Sequence, residues 1–348
     1  MPYIVKYTLK RIGLLIVTTF IILTVTFFLI KLLPGEAMTG QEIDQYKFCM
    51  NQVNEGYYLY FHSPQSNLGE VKKIYTDANG VMWYFYQKPY ILQYFSWIKG
   101  IFTQWNWGLS SAFNAGASAM YIIGTRLGPT IKVNLWAMFF SIPLGFIFGI
   151  WSALKKNKLT DHIISTLVMV LISVPSFVII SLLMLLFAFK LHWLPSAWPS
   201  DNVDVGTKIA GYVIPVMALS FGTIASFTRY TRAELCEVMS SEFLLLARTK
   251  GLTRNQCIVR HALRNSMVPI VPMIIGQFIG ILSGSMVLEQ LYGIPGIGTL
   301  FVKCITLRDY NVLLVDMAVY TLIGLFANLM VDLSYGIVDP RIRMGAKA

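Results

Sequence analysis

Charge is scarce in this sequence of 348 residues. Asp, Glu, Lys and Arg make up 13% of it, against roughly 25% in soluble domains, while 55% of its residues are hydrophobic and the mean hydropathy is +0.60. That balance excludes a water-soluble globular enzyme and points to a protein that crosses a membrane several times. No Gly-Lys dipeptide occurs, so there is no P-loop, and the chain is not an ATPase of the usual kind by itself. HExxH and GxSxG are absent too. The four cysteines, Cys49, Cys236, Cys257 and Cys304, follow no metal or redox spacing, and the four histidines are scattered. No metal and no cofactor is expected on this chain.

What the sequence has is long apolar runs. About 20 apolar residues cross roughly 30 Å of hydrocarbon, and six runs meet that length, near 12–33, 129–154, 163–190, 209–228, 267–292 and 312–336. No small-residue cleavage site follows the first, which reads as a retained anchor. The net charge of +11 is explained by position rather than by nucleic acid, which is not an expected partner. With the N-terminus inside, the inner segments hold Lys6, Lys10 and Arg11, then Lys155, Lys156 and Lys158, then seven basic residues from Arg229 to Arg264, then Arg341, Arg343 and Lys347. Both termini are therefore expected in the cytoplasm. Cys49 and Cys304 then fall outside, where a disulfide between them stays open, and Cys236 and Cys257 fall inside.

The expected organisation is an N-terminal segment with the first span (1–33), an external insertion (34–128) and a five-span core (129–348) carrying a cytoplasmic loop at 229–266. The insertion is rich in aromatics. "VKKIYTDANGVMWYFY" reads as a hairpin with strands near 71–76 and 81–86 and a two-residue turn at Asn79-Gly80. "YILQYFSWIKGIF" reads as an amphipathic helix at the membrane interface. The insertion is thus a small α+β cap on an all-α membrane protein. Its aromatics serve as core and membrane belt or as a ligand platform.

Within the spans, Glu289, Asp316 and Asp332 all lie within about two turns of a span end, which fits snorkelling or capping. No ionisable residue sits at a midpoint, which argues against a proton-coupled carrier. Gly276, Gly280 and Gly284 share a helix face suited to close packing, as do Gly145 and Gly149. Pro143, Pro175, Pro215 and Pro272 imply kinks.

One segment departs from this pattern: "SSEFLLLARTKGLTRNQCIVRHALRN", Ser240 to Asn265. Ser240, Ser241 and Glu242 suit a helix start, Arg248 and Lys250 its end, and Gly251 a left-handed stop. Thr253 and Gln256 then form a capping box for a second helix. Phe243, Leu244, Leu245, Leu246 and Ala247 point in every direction of the first helix. Such a helix must dock, either onto its own bundle or into a groove on a partner.

This segment resembles the cytoplasmic loop of permease subunits of binding-protein-dependent ABC importers, in the dipeptide/oligopeptide (peptide/nickel) branch. "EFLLLARTKGL" and "RHALRNSMVP" carry the likeness. "LLPGEA", "SVPSFV", "WLPSA", "GIPGIG", "RDY" and "LMVDLSYGIVDPRIR" extend it in order along the chain. The broader importer signature, E-A-A then three residues then Gly, survives only at Ala247 and Gly251. The longer insertion is most similar to oligopeptide permeases of Gram-positive bacteria.

The resemblance implies a type I importer permease with six transmembrane helices in a bacterial cell membrane. It implies that Glu242, Phe243, Leu244, Leu245, Leu246, Ala247, Arg248, Lys250, Gly251, Leu252 and Arg254 form the coupling site for an ATPase. It also implies a homologous second permease, two ATPase subunits that hold ATP and Mg, and an extracellular, lipid-anchored peptide-binding protein. The substrate is then an oligopeptide; dipeptides, nickel or another small solute are the alternatives. A self-contained channel or carrier is the rival from another class.

Overall fold

With no proline, and no charged residue between Arg11 and Lys31, residues 3–31 run as one helix. The computed structural model describes residues 3–33, 42–68, 70–77, 79–280 and 285–338. In chain order its elements are α1 (Tyr3–Lys31), α2 (Glu42–Asn54), β1 (Tyr58–Phe61), β2 (Val71–Thr76), β3 (Met82–Gln87), α3 (Tyr90–Gln104), α4 (Ala119–Leu154), α5 (Leu159–Ser173) and α6 (Ser176–Leu183). These are followed by α7 (Val205–Met239), α8 (Glu242–Thr249), α9 (Arg254–Cys257), α10 (Leu263–Gly280), α11 (Met286–Tyr292), α12 (Ile297–Leu307) and α13 (Tyr310–Val338). π-helical turns extend α6 through Met184–Lys190 and join α9 to α10 through Ile258–Ala262.

Among the described residues, four helices are long and apolar enough to cross a membrane: Thr8–Lys31, Ala119–Leu154, Val205–Met239 and Tyr310–Ser334. The run expected as one kinked span at 163–190 is instead two helices bent by 99°. Proline explains the break. The ring of Pro175 drives Val174 out of the helical region, to φ −92° and ψ 120°, so α5 stops and α6 starts afresh. Counted as one span, the pair makes five. The run expected at 267–292 is covered by α10 and α11, with 281–284 outside the described residues. Gly284 falls there, and Arg341, Arg343 and Lys347 are also outside the described residues.

Packing divides the chain into two units. One comprises Met1–Ile16, Gly128–Thr299 and Ile323–Ala348. Its centre is α7, against which α4, α5, α6 and α10 pack. Glycine sets the approach of α4: a Cβ at Gly145 would lie 2.6 Å from Phe227 Cβ, and one at Gly149 would lie 2.5 Å from Thr231 Cβ. The two backbones meet where side chains are missing, and the Thr228 hydroxyl donates to the Gly145 carbonyl at 3.3 Å. Gly276 makes a looser contact, 3.6 Å from Val331 for an added Cβ. Arg11 of α1 pairs with Asp332 of α13 at 2.8 Å.

The other unit comprises Val17–Leu127 and Leu300–Leu322. Its sheet has the order β1-β3-β2, antiparallel throughout. The hairpin forms where expected, but its turn is longer. Asp77 N–H donates to Val81 O at 3.0 Å, so three residues lie between the closing pair. The Asp77 carboxylate accepts from Asn79 and Val81 N–H, both at 2.9 Å, and Gly80 takes φ +79°. Asp77 thus turns a two-residue turn into a three-residue loop with a left-handed glycine. The core of this unit is aromatic: Phe27, Tyr57, Phe85, Tyr94, Trp97 and Trp107 are buried together with Cys49, Cys304 and Tyr310. Cys49 and Cys304 are free thiols there.

Candidate functional site

The local rules read from Ser240 to Asn265 hold almost one by one. Helix α7 ends at Met239, and Ser241, extended at ψ 148°, occupies the cap position of α8. Its hydroxyl does not cap, however; it turns back and donates to Val238 O at 2.5 Å. Helix α8 ends as expected. Gly251 has φ +88°, and Leu252 N–H reaches back to Ala247 O at 3.4 Å, the 6→1 bond of a glycine-stopped helix. The capping box is reciprocal: Thr253 N–H donates to Gln256 Oε1 at 3.0 Å and Gln256 N–H to Thr253 Oγ1 at 3.4 Å.

The docking question raised by α8 receives a divided answer. Leu244 is buried with Ala153, Leu235, Cys236, Cys257 and Ala262, so one side of the helix docks on its own bundle. Phe243, Leu245 and Leu246 do not; they are 42%, 65% and 57% exposed. Glu242, Arg248, Lys250 and Arg254 are exposed, and Ala247 and Leu252 are half-buried. Beside α8 lies a cleft of about 710 Å³. Lys155, Lys156, Lys158, Arg248 and Arg254 reach its wall, with Glu242 as its acidic member. The cleft therefore combines excess positive charge with apolar surface from Leu245.

Asp161 and Arg232, which sequence reading passed over, hold this end of the unit together. Arg232 grips the Asp161 carboxylate through Nε at 2.6 Å and Nη2 at 2.7 Å. The Ser152 hydroxyl and the Asn157 N–H also donate to it, the latter at 2.9 Å. The pair ties the start of α5, the turn carrying Lys155 to Lys158, and α7 about two turns before its end. Its only sequence signal was an acid at the third residue of a helix, a position that the helix dipole explains equally well.

Glu289 corrects a different expectation. Rather than snorkelling from a span end, it is buried, accepting from the Thr130 hydroxyl at 2.7 Å and from Thr299 N–H at 3.2 Å. "GIPGIG" explains how. Side chains at Gly296 and Gly298 would overlap the carboxylate, so only glycine lets the backbone wrap it, and Gly293 turns the chain at φ +71°. In the other unit, Asp309 of "RDY" is also buried. It accepts from Ser110 Oγ at 2.5 Å and from Ala112 and Phe113 N–H at 3.1 and 2.9 Å, fixing loop 110–113 to the start of α13. Among the described residues no cluster of His, Cys, Asp or Glu has the arrangement of a metal site.

Residues 145–344 match the family described as "Binding-protein-dependent transport system inner membrane component". The chain is 35% identical over 341 residues to the dipeptide transport system permease protein DppB of Lactococcus lactis subsp. cremoris (strain MG1363), covering 98% of this chain and all of that one. It is 32% identical over 339 residues to the oligopeptide transport system permease protein OppB of Escherichia coli (strain K12), covering 97% and 99%. DppB of Bacillus subtilis (strain 168) is 28% identical over 342 residues. With several apolar helices and this match across more than half its length, the chain is a multi-pass membrane protein that belongs to the family of inner-membrane components of binding-protein-dependent transport systems.

Proposed function

We propose that this chain is a permease subunit of an ATP-driven peptide importer. It lines half of the translocation path, catalyses no covalent chemistry, and is driven by ATPase chains through α8. The names of relatives matched end to end, dipeptide and oligopeptide permeases, support peptide as the substrate class. The observation that carries the coupling role is the surface of α8. An eight-residue helix is too short to hold its fold alone, yet it offers Phe243, Leu245 and Leu246 outward beside a basic cleft. Burying each such side chain contributes about 1.5–3 kcal/mol. A partner with an apolar groove and acidic rim fits that surface.

The fuller assembly belongs to the same proposal: six spans in the type I arrangement, both termini cytoplasmic, and residues 34–128 outside. A homologous second permease, two ATPase subunits holding ATP and Mg, and a lipid-anchored peptide-binding protein complete it. ATP-driven closure of the ATPases moves α8, and the spans alternate between inward- and outward-open states.

The test is a pair of substitutions. Gly251→Val places a β-branched residue at φ +88°, and Leu245→Asp charges the outward face. Both variants should insert normally yet lose ATPase co-purification and ATP-dependent peptide uptake in reconstituted vesicles. Normal ATPase binding and uptake in both would remove α8 from the coupling role.

A further inference from the structure

Helix α3 has three distinct faces. Gln93, Tyr94, Trp97 and Ile101 are buried against its own unit. Ile91, Phe95 and Phe102 are 50%, 60% and 77% exposed, and at 3.6 residues per turn they fall within about 40° of one another. Ser96, Lys99 and Thr103 form a third stripe, polar except for Leu92 in its first turn, along a separate cleft of about 210 Å³. A helix in water has no use for the second face, and a helix in a protein core has no use for the third.

The depth of α3 follows from what it packs against. The Tyr94 hydroxyl is 2.7 Å from Thr24 Oγ1 of α1, and the Tyr94 ring lies 5.5 Å from Phe27 and 5.3 Å from Phe28. Trp97 lies 5.1 Å from Phe27. These α1 residues belong to the apolar stretch Thr8–Lys31, long enough to span a membrane. At 1.5 Å per residue, Phe27 sits about 6 Å and Thr24 about 10 Å below Lys31, the charged end of that stretch. Interfacial helices bury their apolar faces roughly 5–10 Å into the headgroup–acyl boundary. Tyr90 and Trp105, 42% and 68% exposed, stand at the two ends of α3, where amphipathic rings favour the headgroups.

We propose that α3 lies along the membrane boundary at the Lys31 end of α1, with Ile91, Phe95 and Phe102 in lipid and Lys99 and Thr103 in water. The occupant of the exposed apolar face is the phospholipid acyl layer, because α1 fixes the helix at acyl depth. Sheet β1-β3-β2 joins α3 directly through Lys88 and Pro89, so the helix anchors the sheet to the bilayer surface. The inference requires only that α1 spans the membrane; it does not depend on the α8 coupling reading.

Spin labels at Ile91→Cys, Phe95→Cys, Phe102→Cys and Lys99→Cys would test it in the assembled transporter reconstituted in phosphatidylcholine vesicles, with the four native cysteines replaced by alanine. Labels at 91, 95 and 102 should collide readily with dissolved oxygen and poorly with a water-soluble nickel chelate, and the label at 99 should show the reverse. Nickel access at 95 and 102 would place the face in water. Protection from both reagents would mean that a protein chain covers it. Either result overturns the proposal. Phe95→Trp and Lys99→Trp in the otherwise native chain give a second measurement should the labelled proteins fold poorly. Acyl-brominated lipid should quench the fluorescence added at 95 and spare that added at 99, and the opposite pattern would overturn the proposal.

Discussion

Removing the two members of the Asp161–Arg232 pair one at a time should give unequal losses. The Asp161 side chain is 2% exposed and that of Arg232 31%. Arg232→Ala strands a carboxylate out of water with the Ser152 hydroxyl, the Asn157 N–H and a long bond from the Ser165 hydroxyl as neutral donors and no cation. Breaking a buried pair from one side costs roughly 3–5 kcal/mol. Asp161→Ala leaves a guanidinium that is already about one-third in water and can hydrate further. Its cost is nearer that of unsatisfied hydrogen-bonding groups, about 1–3 kcal/mol. The double variant has no stranded charge, so it should lose less than the sum of the two, by a coupling of up to about 3 kcal/mol. Denaturant titration of the purified permease in detergent, read by tryptophan emission, ranks the variants: double and Asp161→Ala above Arg232→Ala. An Asp161→Ala variant at least as unstable as Arg232→Ala, or an additive double variant, would refute the reasoning.

Other outcomes follow from particular contacts. Gly149→Val should separate α4 from α7, since an added Cβ already meets Thr231 Cβ at 2.5 Å; loss of the folded monodisperse species in size-exclusion chromatography checks this. Asp309→Ala should orphan Ser110 Oγ and three backbone N–H groups, at about 1–3 kcal/mol each, and make loop 110–113 sensitive to limited proteolysis. Burial pushes the Cys49 thiol up to about 11. Between an unfolded thiol value near 8.5 and that figure only the unfolded chain ionises, so stability linked to Cys49 is intact below the window and falls as pH rises through it. A Cys49→Ala variant should flatten that part of the stability–pH curve. Single cysteines at Gly80 and Asn106 should react with an impermeant reagent in intact cells, while those at Lys156 and Arg254 should not.

How much of this could be read from the residues depended on whether the controlling interaction was local. The α8–α9 junction was legible to the residue. Glycine at a left-handed stop and a Thr-x-x-Gln box act within one helical turn, and both stand where expected. The packing of Gly145 and Gly149 was legible as a face, though not the partner, Phe227 and Thr231, which lie some 80 residues away. The Pro175 break was legible as a kink, but its 99° size was not, because proline fixes where a helix stops and not the direction in which the next one leaves. The hairpin register slipped by the one interaction that propensity overlooks, a side-chain carboxylate capping its own turn at Asp77. Asp161, Glu289 and Asp309 were the least legible. Each is a lone acid near a helix end, and only the fold reveals that partners from distant segments bury it.

The central claim is that transport through this chain is driven by a separate ATPase. The measurement is uptake of labelled peptide into vesicles bearing this chain with its proposed partner permease, with the binding protein and ATP supplied, in the presence and absence of the ATPase subunits. The account predicts concentrative uptake only with the ATPase present and ATP hydrolysed, and none when either is withheld. Uptake that persists without the ATPase would contradict it and make this chain a self-contained carrier.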